Sequence, residues 1–223
     1  MALLLKDNSN DDTIPIYVVT KSALPVWESK QSDLVRQWLS HTQFLAKFGQ
    51  VALVPDKSGA LGQVVVGLGE ASFHWVAGSL AEALPSHRYN LEGFIGISNA
   101  ENALASSWFS LAWVLGGYRF NRYKSETTPL ATLVWPPLAD RSYVMGAYNA
   151  AKLTRDLINT PAEDMGPDAL FEIASTVASE NNATIREVSG KNLLEENFPA
   201  IYSVGRAAVK IPCLIDFSWG AKE

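Results

Sequence analysis

Glu163, Asp164 and Asp168 stand close together in the stretch TRDLINTPAEDMGPD, residues 154–168. Carboxylate oxygens of this kind are ligands for a hard cation. The same residues also suit a solvated helix start, where the dipole favours negative charge, so both readings are open. His41, His74 and His87 are the three histidines, and none stands in an HExxH pair. One cysteine, Cys213, excludes the familiar zinc spacings and any internal disulfide. Ser98 in GISNA falls one substitution short of a nucleophile elbow, because Ala100 replaces the second glycine. His87, on an expected loop, is the candidate base, but nothing in the sequence ties it to Ser98. In VVVGLGEAS, Gly67 and Gly69 follow a strand while Ser72 occupies the place of the third glycine of a dinucleotide fingerprint. Glycines of a tight turn explain this wording as well as a phosphate loop does. No Walker A loop occurs.

These residues would be positioned by alternating strands and helices, which implies an α/β architecture. Residues 15–20, 51–55, 63–69, 93–98 and 131–137 read as strands. Residues 32–47 read as a helix with Ser32 as N-cap, placing Leu34, Val35, Trp38, Leu39 and Leu45 on the apolar stripe. Residues 72–84 and 101–118 are two further helices, the second closing on Gly116 and Gly117. Pro136 and Pro137 make a stiff exit, and they mark the expected domain border. A long amphipathic helix from about Asp140 carries Val144, Ala147, Tyr148, Ala151 and Ile158, and Pro161 ends it. The next helix is expected at Gly166, Pro167 and Asp168, with Leu170, Ile173, Ala174 and Val177 as its buried stripe. Residues 184–188 and 212–219 read as strands around a short helical turn at residues 191–197. A helix stop, a turn and a helix start therefore account for residues 159–168 without any chemistry.

Of the 223 residues, 48% are hydrophobic and 18% charged, enough apolar material for a substantial core. With 18 Lys plus Arg against 23 Asp plus Glu, the formal charge is −5 and no basic run appears. Nucleic acid and membrane are thus not expected as partners. The N-terminus has only a three-leucine apolar run before acidic residues, far short of a signal peptide. A cytoplasmic location is the expectation, in keeping with the lone cysteine.

Three segments in order resemble the leucyl aminopeptidase (cytosol aminopeptidase) family. TRDLINTPAEDMGP, residues 154–167, is similar to the segment with which that family's catalytic domain opens. GGYRFNRYK, residues 116–124, resembles an element late in its N-terminal domain, and FPAIYSVGRAAVKIPCLIDFSWG, residues 198–220, resembles a catalytic-domain segment. The resemblance implies a macro-domain-like N-terminal domain over residues 1–137, with a mixed sheet flanked by helices, and a linking helix over 138–160. Residues 161–223 would then be the beginning of an incomplete α/β catalytic domain. It further implies a parent enzyme that removes N-terminal residues from peptides, using two divalent metals, zinc or manganese, and bicarbonate as proton shuttle, within a hexamer. The family's metal-binding motifs, GKGxxFDTGG and NTDAEGRL, do not occur in this sequence. No catalytic, cofactor-binding or metal-binding residue is therefore assigned to any position, no metal is expected in this chain, and the chain alone is expected to be inactive. Its expected contribution is assembly and substrate access. The alternative is a non-catalytic macro-like module that binds a nucleotide or ADP-ribose-type ligand, with GLGEAS as the phosphate-contacting loop.

Overall fold

The computed structural model describes residues 4–7, 12–70, 75–124 and 128–220. Two compact units divide the chain, Met1–Thr154 and Arg155–Glu223.

The first unit is built on a six-stranded mixed sheet of order β1-β6-β5-β2-β4-β3. Its strands are β1 (Leu5–Lys6), β2 (Ile14–Thr20), β3 (Val51–Pro55), β4 (Leu61–Gly69), β5 (Arg88–Ile95) and β6 (Thr132–Val134). All neighbours run parallel except β3, which pairs antiparallel with β4. The expected α/β class with a mixed sheet between helices is what the chain adopts.

Helices cover both faces, which explains why β4 reads as a continuous apolar run. On one face, α3 (Leu80–Ala83), α4 (Asn99–Gly116) and the first half of α5 (Arg141–Asn159) join a core that includes Ile16, Val18, Val64, Val66, Phe109, Trp113 and Tyr148. On the other, α1 (Leu24–Glu28) and α2 (Asp33–His41) pack Trp27, Val35 and Leu39 against Val19, Val54 and Val65. Asp140 starts α5 by accepting the Tyr143 N–H at 3.0 Å, and its own N–H donates to the Ser107 hydroxyl of α4 at 2.9 Å. A buried serine of one helix thus anchors the first turn of another.

Several elements differ from the sequence expectations. Helix α2 begins at the expected Ser32 cap, whose hydroxyl accepts the Val35 N–H, but it ends at His41. Gln43 and Ala46 leave it with φ of +51° and +49°. The Gln50 side chain holds the chain there, accepting from Leu45 N at 2.9 Å and donating to Gln43 O at 3.0 Å. Strand β5 spans Arg88–Ile95 rather than 93–98, because β2 pairs along it from Tyr89 onward. Strand β6 keeps only Thr132–Val134 of the expected 131–137. Of the helix expected over 72–84, Leu80–Ala83 is helical, and residues 71–74 lie outside the described residues. Short elements β1 and α1 were not read from the sequence.

The second unit contains the C-terminal end of α5, then α6 (Pro167–Glu180), β7 (Thr184–Ser189), α7 (Asn192–Glu195), α8 (Pro199–Gly205) and β8 (Cys213–Ser218). Strands β7 and β8 form an antiparallel pair. Helix α6 starts where expected, with Gly166 as N-cap and Pro167 in the first turn. Its stripe is only partly realised: Leu170 is exposed, whereas Ala178 is buried. Ile158, expected on the apolar face of α5, is 77% exposed.

Gly116 is where two backbones meet. A Cβ there would lie 1.6 Å from the carbonyl oxygen of Gly78. In α5, by contrast, a Cβ on Gly146 would meet nothing within 4 Å. Gly116→Ala is expected to destabilise the first unit by about 1–3 kcal/mol through overpacking. Gly146→Ala is expected to stabilise by about 0.5–1 kcal/mol, since glycine is the costlier residue in a helix interior. Urea unfolding of both variants checks the opposite signs.

Candidate functional site

Several of the sequence candidates are drawn into structural roles by their contacts. Gly67 and Gly69 are pressed by the chain that follows α2. A Cβ on Gly67 would lie 2.2 Å from the Lys47 carbonyl oxygen. Gly67 N donates to Gln50 O at 2.7 Å, and Gly69 N donates to Ala46 O at 2.8 Å. These glycines admit a neighbouring backbone, so a phosphate would find their surface already covered. Ser72, the third position of that motif, lies outside the described residues, as does His74.

Ser98 sits immediately before α4 and works as its cap. Its hydroxyl donates to Glu101 Oε2 at 2.7 Å and its N–H donates to the same oxygen at 3.3 Å. The Ser98 hydroxyl, and then its backbone N–H, hold the Glu101 carboxyl below its ordinary value. The carboxylate also stands where an anionic ligand would seek the helix N-terminus. His87 is exposed, with its N–H donating to Pro85 O at 2.7 Å and its carbonyl accepting from Thr132 N at 3.0 Å.

Within the second unit, the polar stretch after α5 becomes a set of fasteners. Thr160 is buried, and its hydroxyl donates to Asp156 O at 2.7 Å, which closes the last turn of α5. Pro161 then accepts from Asp164 N at 3.0 Å and Met165 N at 2.9 Å, forming a turn that leads into α6. Asp168 takes Lys210 Nζ at 3.0 and 3.1 Å, so both its oxygens are engaged by one ammonium. That hydrogen bond is the largest cause holding the Asp168 carboxyl below its ordinary value. Gly166 makes room for it, since a Cβ there would lie 2.3 Å from Lys210 Cδ. Cys213 of β8 donates its thiol to Pro167 O at 3.7 Å, and burial pushes the thiol up from its ordinary value, with Glu187 and Asp168 adding to the effect. Trp219 Nε1 donates to Asn181 O at 3.1 Å. Both ends of α6 are thereby tied to residues 210–219.

Glu163 and Asp164 are exposed and do not join Asp168 in a ligand set. Among the described residues no group of three or more His, Cys, Asp or Glu side chains could hold a metal ion. No helix among them is long and apolar enough to cross a membrane.

This geometry accompanies clear kinship. Residues 14–136 match the family model described as M17 aminopeptidase, N-terminal domain. The chain belongs to the M17 aminopeptidase family. Residues 152–223 match the catalytic-domain model of the cytosol aminopeptidase family, which includes the fastened stretch after α5. A probable cytosol aminopeptidase of Wolinella succinogenes is 26% identical over 206 residues, covering 82% of this chain and 42% of the relative. The crystal structure of a cytosol aminopeptidase from Coxiella burnetii superposes with a TM-score of 0.84 at 34% identity, over 99% of this chain and 47% of that one. The bottromycin maturation enzyme BotP, solved in complex with Mn, shares the fold with a TM-score of 0.73 at 23% identity, over 94% of this chain and 46% of that one. The M17 chain thus spans less than half the length of these relatives.

The Ser98 contact separates a capping role from a nucleophilic one. Ser98→Ala is expected to lower the stability of the first unit modestly at neutral pH, by removing the Ser98–Glu101 contact. Because the folded Glu101 carboxyl is depressed, its contribution is present above the ordinary carboxylate range and lost as pH falls through the folded value. The difference between variant and wild type should therefore narrow in acid. Denaturation at a series of pH values checks this, and covalent labelling of Ser98 by a fluorophosphonate would contradict the capping role.

Proposed function

We propose that this chain serves as the N-terminal part of a two-metal aminopeptidase that removes N-terminal residues from peptides. One observation carries the reading: matches to the M17 N-terminal domain model and to the family's catalytic-domain model follow one another in a single chain, at residues 14–136 and 152–223. On this reading residues 1–137 are the N-terminal domain and residues 138–160 the linking helix. Residues 161–223 begin the catalytic domain. The link is seated in the first core through Val144 and Tyr148.

The paired divalent cations, zinc or manganese, would supply Lewis-acid activation of water and carbonyl when bound. Their ligands belong to motifs that residues 152–223 do not carry, which is why the chain alone is inactive on this reading. Its own contribution is to assembly, in a hexamer of the parent, and to the access of substrate to the active sites. Exposed apolar side chains of the second unit support a packing role: Val209 is fully exposed, Val204 88% and Trp219 75%. A cytoplasmic location fits the cytosol aminopeptidase relatives.

Leucyl p-nitroanilide tests the assignment directly. The purified 223-residue chain is expected to give no turnover with manganese or zinc, whereas a gene product in which it is followed by the two family metal motifs is expected to turn over and to lose activity to a chelator. Activity of the chain alone that survives repurification would overturn the division of labour.

The exposed face predicts a second outcome. Residues 214–218 of β8 should lose amide protection as the chain is diluted, because protection lent by a neighbour depends on concentration, while residues 63–66 of β4 keep theirs. Hydrogen exchange over a dilution series reads this, and equal, concentration-independent protection would count against a packing role.

A further inference from the structure

Among the described residues, the side of β5 that meets β6 has no paired strand over most of its length. Strand β6 meets β5 only at Arg88 and Tyr89, after which Pro136 and Pro137 carry the chain away. Among the described residues no strand flanks residues 90–94 on that side, although β2 pairs with them on the other. A cavity of about 650 Å³ opens along this edge.

Its walls have a definite chemistry. Phe94, Trp135 and Leu138 supply apolar surface, and Glu92 and Arg141 supply one charge of each sign. Glu92 is the extra residue of a bulge, since Ile16 pairs with Leu91 and the next residue, Tyr17, with Gly93. Bulges re-aim a side chain at a sheet edge. The Glu92 carboxylate accepts from Asn90 Nδ2. The Arg141 guanidinium lies 5.2 Å above the Trp135 ring and donates to Asp7 at 2.7 Å, leaving further N–H groups for another acceptor. Asn102 Oδ1 is buried at the cavity wall and has no hydrogen-bond partner among the described residues. A buried acceptor of this kind calls for a donor.

We propose that this groove binds a short extended peptide with apolar side chains and free termini, laid as an added strand beside residues 90–94. A free strand edge offers alternating N–H and C=O groups, which only another backbone matches in series. An ammonium end is complementary to Glu92, and a carboxylate end to Arg141. Apolar side chains rest on Phe94, Trp135 and Leu138, and a peptide N–H reaches Asn102 Oδ1. A polyanion such as a nucleotide fits poorly, because Glu92 faces it. The inference stands on the sheet edge and not on the aminopeptidase reading.

Tri-leucine is the probe, titrated into the full 223-residue chain in excess EDTA, so that no metal site takes part. Saturable binding is expected by calorimetry, with NMR shift changes concentrated at the Gly93 amide, the Trp135 indole N–H and the Asn102 side-chain amide. Tri-leucine methylated on both amide nitrogens is expected to bind about tenfold more weakly, having lost its strand donors. Free leucine should be weaker by a similar factor. These comparisons alter the ligand alone, so no variant has to fold. Equal affinity of the methylated peptide or of free leucine, shifts centred elsewhere, or no saturable response would overturn the proposal. Hydrolysis by a longer gene product is scored separately, so failure of either idea leaves the other standing.

Discussion

Covering β2 and β4 on both faces removes water from the valines at their centres, and the other elements follow from that requirement. Val18 and Val19 point into opposite cores, as do Val65 and Val66, so neither strand has a polar side. Each face then needs its own helical layer, and each layer needs an anchor. On one side Ser107 holds the start of α5, and on the other Ser32 caps α2. Where the layers come closest no side chain fits. Gly67 against Lys47 and Gly116 against Gly78 are the places where burial is limited by the backbone itself.

The same physics decided what could be read from the sequence. Strands β3 and β4 were legible because apolar runs bounded by turn residues report burial directly. The bounds of β5 were not. Its apolar wording lies in residues 93–98, yet pairing with β2 extends the strand back through Arg88 and stops it at Ile95. Register belongs to the partner strand, and no local pattern encodes it. Helix α2 was read too long for a related reason: Leu45 keeps the apolar spacing going, while Gln50 and Gly67 pull the backbone into a different shape.

Functional candidates were harder still, because some were decided by a distant residue. Asp168 looked available in its own neighbourhood, but its carboxylate answers to Lys210, 42 residues away. Ser98 was decided locally by Glu101, and the spacing of the two is the signal of a capping box. Family membership, carried by the wording of three separate segments, was the most legible property of all, since it needed no geometry.

The lone thiol of β8 has a consequence for how the second unit meets oxidants and electrophiles. Cys213 donates toward the Pro167 carbonyl, and burial beside Glu187 and Asp168 disfavours its anion. Alkylating reagents and peroxides attack the thiolate, not the protonated sulfur. At neutral pH the chain therefore offers them a scarce target, and a residue that would ordinarily age first is preserved by the same fastening that holds β8 to α6.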